Sequence, residues 1–188
     1  MVNHLAPETE DERFMLEALK EAKKAYRAGE VPVGAIIVSE GRIIARGHNQ
    51  VELLRDASAH AEMLTLTVAS SALSNWRLTG TTLYSTLEPC AMCLGAMLLA
   101  RIDRLVWGAP DLRHGANGSW VDLLKEPHPT HTLTVTSGIL REPCAMLMQQ
   151  FFQERRRGSA NGAAGRAGRG AAEEGACLGA EDPSQLDL

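Results

Sequence analysis

The stretch that decides the fold reads TTLYSTLEPCAMCLGAMLLA at residues 81–100. Its first part, Thr81 to Leu87, is rich in β-branched residues and predicts a strand. Pro89 suits the first position of a helix, and we expect that helix to run to about Ala100. Arg104 to Ala109 then predicts another strand. A strand–helix–strand connection indicates two parallel strands with the helix packed on the sheet.

The rest of the chain supplies elements on both sides of this unit. Thr9 and Glu12 have capping-box spacing and predict the start of a first helix, which ends at Gly29. The other predicted elements are strands Val31 to Ser39 and Arg42 to Gly47, a helix Ala59 to Leu73, a strand Leu133 to Ile139 and a helix Pro143 to Arg157. This order predicts an α/β fold, a three-layer α/β/α sandwich around a five-stranded mixed sheet.

Composition predicts one domain and a tail. The chain has 188 residues, of which 45% are hydrophobic, enough to form a core. From Gly158 the sequence shifts to Gly, Ala, Ser, Arg and Glu, which cannot bury enough surface to offset the entropy of ordering. We therefore expect a domain over residues 1–157 and a disordered tail over residues 158–188.

Charge and hydropathy restrict the environment and the partners. No apolar run approaches the length of a membrane span, and Met1 to Pro7 lacks the pattern of a secretory signal. We therefore expect a cytoplasmic protein with no membrane partner. The net charge of −4 is not that of a general nucleic-acid binder, so any RNA binding must come from a local patch.

A metal site is indicated by His60 together with Cys90 and Cys93. The two cysteines lie three residues apart at a predicted helix start, which places both sulfurs on one face. The positive end of the helix dipole favours the thiolates that zinc binds. His60, at the start of the other covering helix, supplies a third ligand. Three protein ligands leave a fourth position for water, which is typical of a catalytic zinc.

Glu62 provides the proton carrier that such a site needs. Zinc lowers the pKa of water toward about 7, which makes hydroxide accessible at neutral pH. A carboxylate two residues after the histidine would take the proton from this water. It would then protonate the ring nitrogen beside the attacked carbon and the departing amine, as in nucleobase deaminases with H-x-E and P-C-x-x-C motifs.

Alternatives to the catalytic zinc site remain at this stage. A lone Cys-x-x-Cys also fits a redox pair or half of a structural zinc site, and Pro89 with the upstream His-x-Glu motif argues against both. Cys144 is either a fourth ligand, which would close the site, or a buried free thiol in the last helix. We expect the free thiol. Cys177 lies in the predicted tail, and we assign it no role.

Beyond the zinc motif, the chain resembles the bacterial tRNA-specific adenosine deaminases, which have the cytidine-deaminase-like fold. The resemblance covers roughly residues 10–157. It rests on EVPVGA (30–35), AHAE (59–62), TLEPCAMC (86–93), GANGS (115–119) and the Phe-Phe and Arg-Arg pairs at 151–156. The zinc motifs indicate a deaminase, and the last two features favour the tRNA branch.

The resemblance implies a specific reaction and specific substrate contacts. It implies hydrolytic deamination of the wobble adenosine to inosine in a tRNA anticodon loop, by a homodimer with one zinc per subunit and no organic cofactor. Asn49 would hydrogen-bond the flipped base, and Asp111 would lie in the loop around the target. Arg155 and Arg156 would contact phosphates from the last helix.

Each of these contacts has a structural alternative. Asn49 also fits a turn residue at a strand end, and Asp111 fits a solvated loop acid. The arginines also fit a basic helix end that complements the dipole. The chain departs from the family pattern at Gln50, Ala57-Ser58 and Pro110. These departures bear on RNA affinity and not on the zinc chemistry.

Two other functions use the same motifs. A guanine, cytosine or cytidine deaminase acting on a free base or nucleoside would have identical zinc chemistry. The loop from Pro110 to Thr130 and the basic last helix favour RNA over these substrates. A non-enzymatic protein with structural zinc would instead need four protein ligands.

Overall fold

The computed structural model describes residues 9–166, with side chains described as far as residue 157. Met1 to Pro7, Cys177 and most of the predicted tail lie outside the described residues. The elements are α1 (Glu10–Arg27), β1 (Gly34–Ser39), β2 (Arg42–His48), α2 (Val51–Leu54), α3 (Ala61–Ala72), β3 (Thr81–Leu87), α4 (Ala91–Ala100), β4 (Arg104–Ala109), β5 (Thr134–Ser137) and α5 (Arg141–Arg166). The chain divides into two compact units after Gln153, and the sheet belongs to the first.

The five strands form one mixed sheet in the order β2-β1-β3-β4-β5. β1 is antiparallel to both β2 and β3, whereas β3, β4 and β5 are mutually parallel. Helices cover both faces, because α1 and the start of α5 pack on one side and α3 and α4 pack on the other. The predicted α/β/α sandwich with a five-stranded mixed sheet is therefore confirmed.

Successive residues of the central strands serve opposite faces of the sheet. In β1, Ile36 belongs to the core cluster that contains Phe14 and Met15 of α1. The next residue, Ile37, belongs to the cluster that contains Leu94 of α4. This strand is buried on both sides, so it reads as a continuous apolar run and not as an alternating one.

Glycine allows two helices to approach the sheet closely. A β-carbon at Gly34 would overlap the backbone of α1 at Ala18 and Ala22. A β-carbon at Gly47 would overlap the Thr65 side chain of α3. A larger residue at either position would therefore push a covering helix away from the sheet.

The start of α4 differs from the prediction in a way that matters for the site. Pro89 lies before the helix, and Cys90 is the N-cap residue in an extended conformation. The first helical hydrogen bond runs from the Leu94 N–H to the Cys90 carbonyl at 2.9 Å. Pro89 at the first helical position was therefore wrong, because the chain turns into the helix one residue after the proline.

Other boundaries also shift. α3 begins at Ala61 with His60 as its N-cap, and one-turn α2 was not predicted because four residues carry no helical periodicity. Paired structure in β1 starts after Pro32, which lacks the N–H donor of a ladder. α5 continues to Arg166, nine residues beyond its predicted end. Among the described residues, no helix is both long enough and apolar enough to span a bilayer.

A polar cluster fastens α1 to the sheet. Both guanidinium nitrogens of Arg104 in β4 donate to the Asp11 carboxylate, at 2.9 and 2.6 Å. The Tyr84 hydroxyl of β3 also donates to Asp11, at 2.9 Å. The hydrogen bonds from Arg104 lower the pKa of Asp11 below its usual value. Because the ion pair is bidentate and largely shielded, it is worth more than an exposed surface pair.

We expect Asp11→Asn to destabilise the fold at neutral pH and to lose this effect in acid. The pKa of Asp11 is lower in the folded state than in the unfolded state, so its contribution is present above the unfolded value near 3.8. That contribution disappears as the pH falls through the folded pKa. Urea midpoints measured from pH 7 to pH 2.5 test this. Glu10→Gln, at an exposed pair with Arg13, is the control, and equal effects of the two variants at pH 7 would contradict the role of Asp11.

Candidate active site

Three ligand atoms converge at the starts of α3 and α4. The Nδ1 atom of His60 lies 3.6 Å from the Cys90 sulfur and 3.5 Å from the Cys93 sulfur. The two sulfurs are 3.6 Å apart. His60 and Cys90 are the N-cap residues of their helices, and Cys93 lies in the first turn of α4. The tertiary structure therefore brings together the three residues that the sequence predicts as metal ligands.

This triangle has the dimensions of a tetrahedral zinc site. Tetrahedral angles with Zn–S of about 2.3 Å and Zn–N of about 2.0 Å place two sulfurs about 3.8 Å apart and a sulfur and a nitrogen about 3.6 Å apart. One imidazole and two thiolates are also a donor set that zinc binds. Among the described residues, His60, Cys90 and Cys93 are the group of three or more such side chains close enough to hold an ion. The residues present therefore fit zinc.

Electrostatics favour a thiolate in this triangle. The pKa of the Cys90 thiol is lowered to about 4, because Cys93 donates a hydrogen bond to its sulfur and His60 lies beside it. The hydrogen bond with Cys90 raises the pKa of His60 against the opposing effect of burial. The positive ends of α3 and α4 act in the same direction on negative charge.

Glu62 places a buried carboxylate beside the metal ligands. It lies in the first turn of α3 and is 3% exposed. Its Oε1 accepts a hydrogen bond from the Ser85 hydroxyl of β3 at 3.1 Å. Its Oε2 lies 3.6 Å from the Cys93 sulfur. Burial raises the pKa of Glu62, which suits a group that both accepts and releases protons near neutral pH.

Cys144 lies away from this cluster. It is a buried free thiol in α5 and belongs to the core cluster on the α1 side of the sheet, as predicted. Burial raises its pKa to about 12, so it stays protonated. Its sulfur occupies the space beside Gly108, where a β-carbon would overlap it. The position of Cys144 gives no support to a fourth protein ligand.

Asn49 is held in a fixed orientation at the end of β2. Its side-chain nitrogen donates to Glu30 at 3.2 Å, and its backbone N–H donates to the Val33 carbonyl at 3.0 Å. The next residue, Gln50, donates its N–H to the carbonyl of Ala59, which precedes His60 in the sequence. The backbone beside Asn49 is therefore tied to the segment that carries a metal ligand.

The loop after β4 lies directly against the other metal-binding segment. Gly115 pairs with Cys90, and the Ala116 N–H donates to the Pro89 carbonyl at 2.9 Å. In this loop, the Asp111 carboxylate accepts the N–H groups of Arg113 at 2.9 Å and His114 at 3.3 Å. Asp111 therefore shapes its own turn at the rim of the site.

Arg155 and Arg156 lie in α5 beyond Gln153, in the second compact unit. Both side chains are exposed. The structure places neither of them in the triangle described above, and their predicted contact with phosphates stays a prediction.

Three supporting residues were not assigned a role from the sequence. Ser85 orients Glu62, Glu30 orients Asn49, and Glu88 binds the loop after β4. Glu30 and Glu88 stand in the quoted motifs, each next to a strand end or a metal ligand. An acidic residue in an otherwise apolar segment is the signal that indicates such a role.

Comparisons with known proteins agree with this site. The cytidine and deoxycytidylate deaminase zinc-binding region matches residues 8–109. A tRNA-specific adenosine deaminase of Bacillus subtilis is 50% identical over 149 residues, which cover 79% of this chain and 92% of that protein. The chloroplastic tRNA(adenine(34)) deaminase of Arabidopsis thaliana is 53% identical over 163 residues, 78% of this chain and 12% of that much longer protein.

A solved structure shows the same fold. It comes from a study of A-to-I editing by tRNA:A34 deaminases at the wobble position of transfer RNA, and it matches with a TM-score of 0.69 at 44% identity. The match covers 72% of this chain and 98% of that one. The chain therefore belongs to the cytidine and deoxycytidylate deaminase family of zinc-binding enzymes, in the branch of the tRNA-specific adenosine deaminases.

Proposed function

We propose that the protein converts the wobble adenosine of a tRNA anticodon loop to inosine by hydrolytic deamination. The observation that carries this proposal is the buried Glu62 carboxylate beside the triangle of His60, Cys90 and Cys93. A proton carrier next to an open three-ligand zinc site is what hydrolytic removal of an amine requires. The substrate follows from the family branch.

His60, Cys90 and Cys93 would hold the zinc. The ion supplies Lewis acidity, which lowers the pKa of water to about 7 at a site of this kind. Two thiolates neutralise the charge of the ion, and the neutral imidazole adds none. The three ligands come from rigid helix starts, so the protein fixes their geometry before substrate binds.

Glu62 would move the protons of the reaction. Ser85 engages Oε1, so Oε2, which faces Cys93, is the oxygen available to the reacting groups. Oε2 takes a proton from the attacking water and passes one to the ring nitrogen beside the attacked carbon. It then gives a proton to the amine as the amine leaves. Burial keeps this carboxylate out of bulk water during the transfer.

The substrate side of the site would consist of Asn49, Asp111, Arg155 and Arg156. Asn49 would hydrogen-bond the flipped base, and Glu30 fixes its amide for that purpose. Asp111 would act in the loop around the target and shapes the turn that presents exposed residues there. The arginines would contact phosphates, which positions an RNA without reading its sequence.

The alternative is deamination of free guanine, cytosine or cytidine. Its zinc chemistry would be the same, so the metal ligands do not separate the two functions. The loop after β4, which is built against Cys90, favours a larger substrate than a free base, because it provides a surface beyond the ligands.

We further propose that the deaminase domain spans residues 1–157 and acts as a cytoplasmic homodimer. Leu99 and Met92 lie seven residues apart on α4, which places them on one helix face, and both are exposed. Leu53 and Leu54 of α2 are exposed as well. Exposed apolar side chains on elements beside the metal ligands fit a symmetric contact between two copies.

We expect inosine at the wobble position when the zinc-loaded protein acts on an anticodon stem-loop with adenosine there. The physical reason is that only an unpaired loop lets the base leave the stack. Nucleoside analysis by mass spectrometry measures the product. Free guanine, cytosine and cytidine are the comparison substrates, and turnover of these without inosine formation would overturn the tRNA assignment.

We expect Glu62→Gln to keep one zinc per chain and to lower turnover by roughly 10²- to 10⁴-fold, because the amide cannot carry protons. Steady-state kinetics and metal analysis of the same preparation measure both effects. Glu40→Gln makes the same change at an exposed residue of the β1–β2 turn and is the control. Full activity in Glu62→Gln would refute the proton-transfer role.

We expect Leu99→Arg to convert the dimer to monomer, because it places a charge in an apolar contact. Leu99 is 66% exposed in the single chain, and Met146 of α5 is similarly exposed at 67%, so Met146→Arg is the matched control. Sedimentation velocity at micromolar concentration measures the mass. A wild-type monomer under these conditions would count against the dimer.

A further inference from the structure

Glu88 is a buried carboxylate for which the deamination chemistry has no use. It stands between β3 and the metal ligand Cys90 and is 1% exposed. A carboxylate in such a place loses the hydration of its charge, so it persists only where hydrogen bonds replace water. Its partners therefore indicate what it does.

The donors to Glu88 come from the loop after β4, residues 110–121. Oε1 accepts the backbone N–H of Asn117 at 2.9 Å and that of Ser119 at 3.2 Å. Oε2 accepts the backbone N–H of Asp111 at 3.2 Å and a short hydrogen bond from the Ser119 hydroxyl. Glu88 thus joins the two ends of the loop through one carboxylate.

Gly115 shows how closely the loop folds over this carboxylate. A β-carbon at Gly115 would overlap both the Glu88 carboxylate and the Asp111 carbonyl. The loop backbone therefore rests on the carboxylate, and any side chain at this position would lift it away.

The same loop is fastened to the segment that binds metal. Ala116 donates to the Pro89 carbonyl, and Gly115 pairs with Cys90. Asn117 also accepts a hydrogen bond from the indole nitrogen of Trp107 in β4, at 2.9 Å. The position of the loop relative to Cys90 is therefore set by hydrogen bonds at several points, of which Glu88 provides four.

The loop presents side chains that suit single-stranded RNA. Leu112 is 79% exposed and Trp120 is 65% exposed, and Arg113 and His114 are also exposed. An aromatic ring with basic neighbours provides stacking and charge for unpaired nucleotides. The surface adjoins the ligand Cys90, as nucleotides that flank the target base require.

We propose that Glu88 is a positioning residue that holds this loop as the wall that binds nucleotides on either side of the target adenosine. The inference rests on the proposed function and deepens it. Glu88 acts through the loop backbone and takes no part in proton transfer or metal binding.

The substitution Glu88→Gln separates these roles, because it keeps the size of the side chain. The amide oxygen still accepts from Asn117 and Ser119. The amide nitrogen replaces Oε2, where the Ser119 hydroxyl can rotate to accept a hydrogen bond but the Asp111 N–H cannot. The loss is thus confined to the Asp111 end of the loop.

Hydrogen exchange and kinetics of the zinc-loaded full chain test the proposal. In Glu88→Gln we expect faster exchange of the Asp111 amide, one zinc per chain and an unchanged midpoint of thermal unfolding within a few degrees. For the anticodon stem-loop we expect KM to rise about tenfold, as for one buried hydrogen bond, with kcat within about twofold. Ser119→Ala keeps the three backbone donors, so its effect on KM should be smaller. Glu126→Gln, at an exposed acid outside the clamp, is the matched control.

Three outcomes would overturn the positioning role of Glu88. They are unchanged exchange at Asp111, loss of zinc, or a fall in kcat with KM unchanged. The exchange arm and the affinity of the stem-loop, measured by fluorescence anisotropy, need no turnover. If the wild-type protein binds the stem-loop but forms no inosine, the proposed function fails, while these two arms still decide whether Glu88 positions an RNA-binding loop.

Discussion

The structure depends on the convergence of two helix starts at one edge of the sheet. His60 precedes α3 and Cys90 precedes α4, and their ligand atoms lie 3.6 Å apart. A tetrahedral ion tolerates little error in such distances, so the sheet and both helices must be fixed to within a few tenths of an ångström. The close approach of α3 to β2 at Gly47 and the parallel pairing of β3 with β4 provide this rigidity.

Three buried carboxylates surround the site, and each is stabilised in a different way. Glu62 accepts from Ser85, Glu30 accepts from Asn49 and from the Leu53 N–H, and Glu88 accepts from the loop after β4. A core of apolar residues would be more stable than one that contains these charges. Their presence marks the part of the molecule where geometry and proton transfer take precedence over stability.

The sequence predicted the elements well wherever local chemistry decides them. β3 and β4 have the predicted bounds, because apolar and β-branched runs are enclosed by turn residues, and the capping box at Thr9 and Glu12 forms as expected. Boundaries that depend on the path of the chain were less accurate. Pro89 does not open α4, and α2 is one turn whose end at Arg55 has a left-handed backbone conformation that no apolar pattern reveals.

The sequence by itself determined which chemistry the protein carries, because a histidine, two cysteines and a glutamate of given spacing suit only a few metal sites. It also determined the fold class, through periodicity and turn signals. The tertiary structure alone decided the order of the strands, the burial of Glu62 and the partners of Glu88, whose donors lie 23 to 31 residues away along the chain. The reason is physical: whether a buried charge is stable depends on which donors reach it in space, and local sequence spacing carries no information about backbone groups that arrive from another part of the fold.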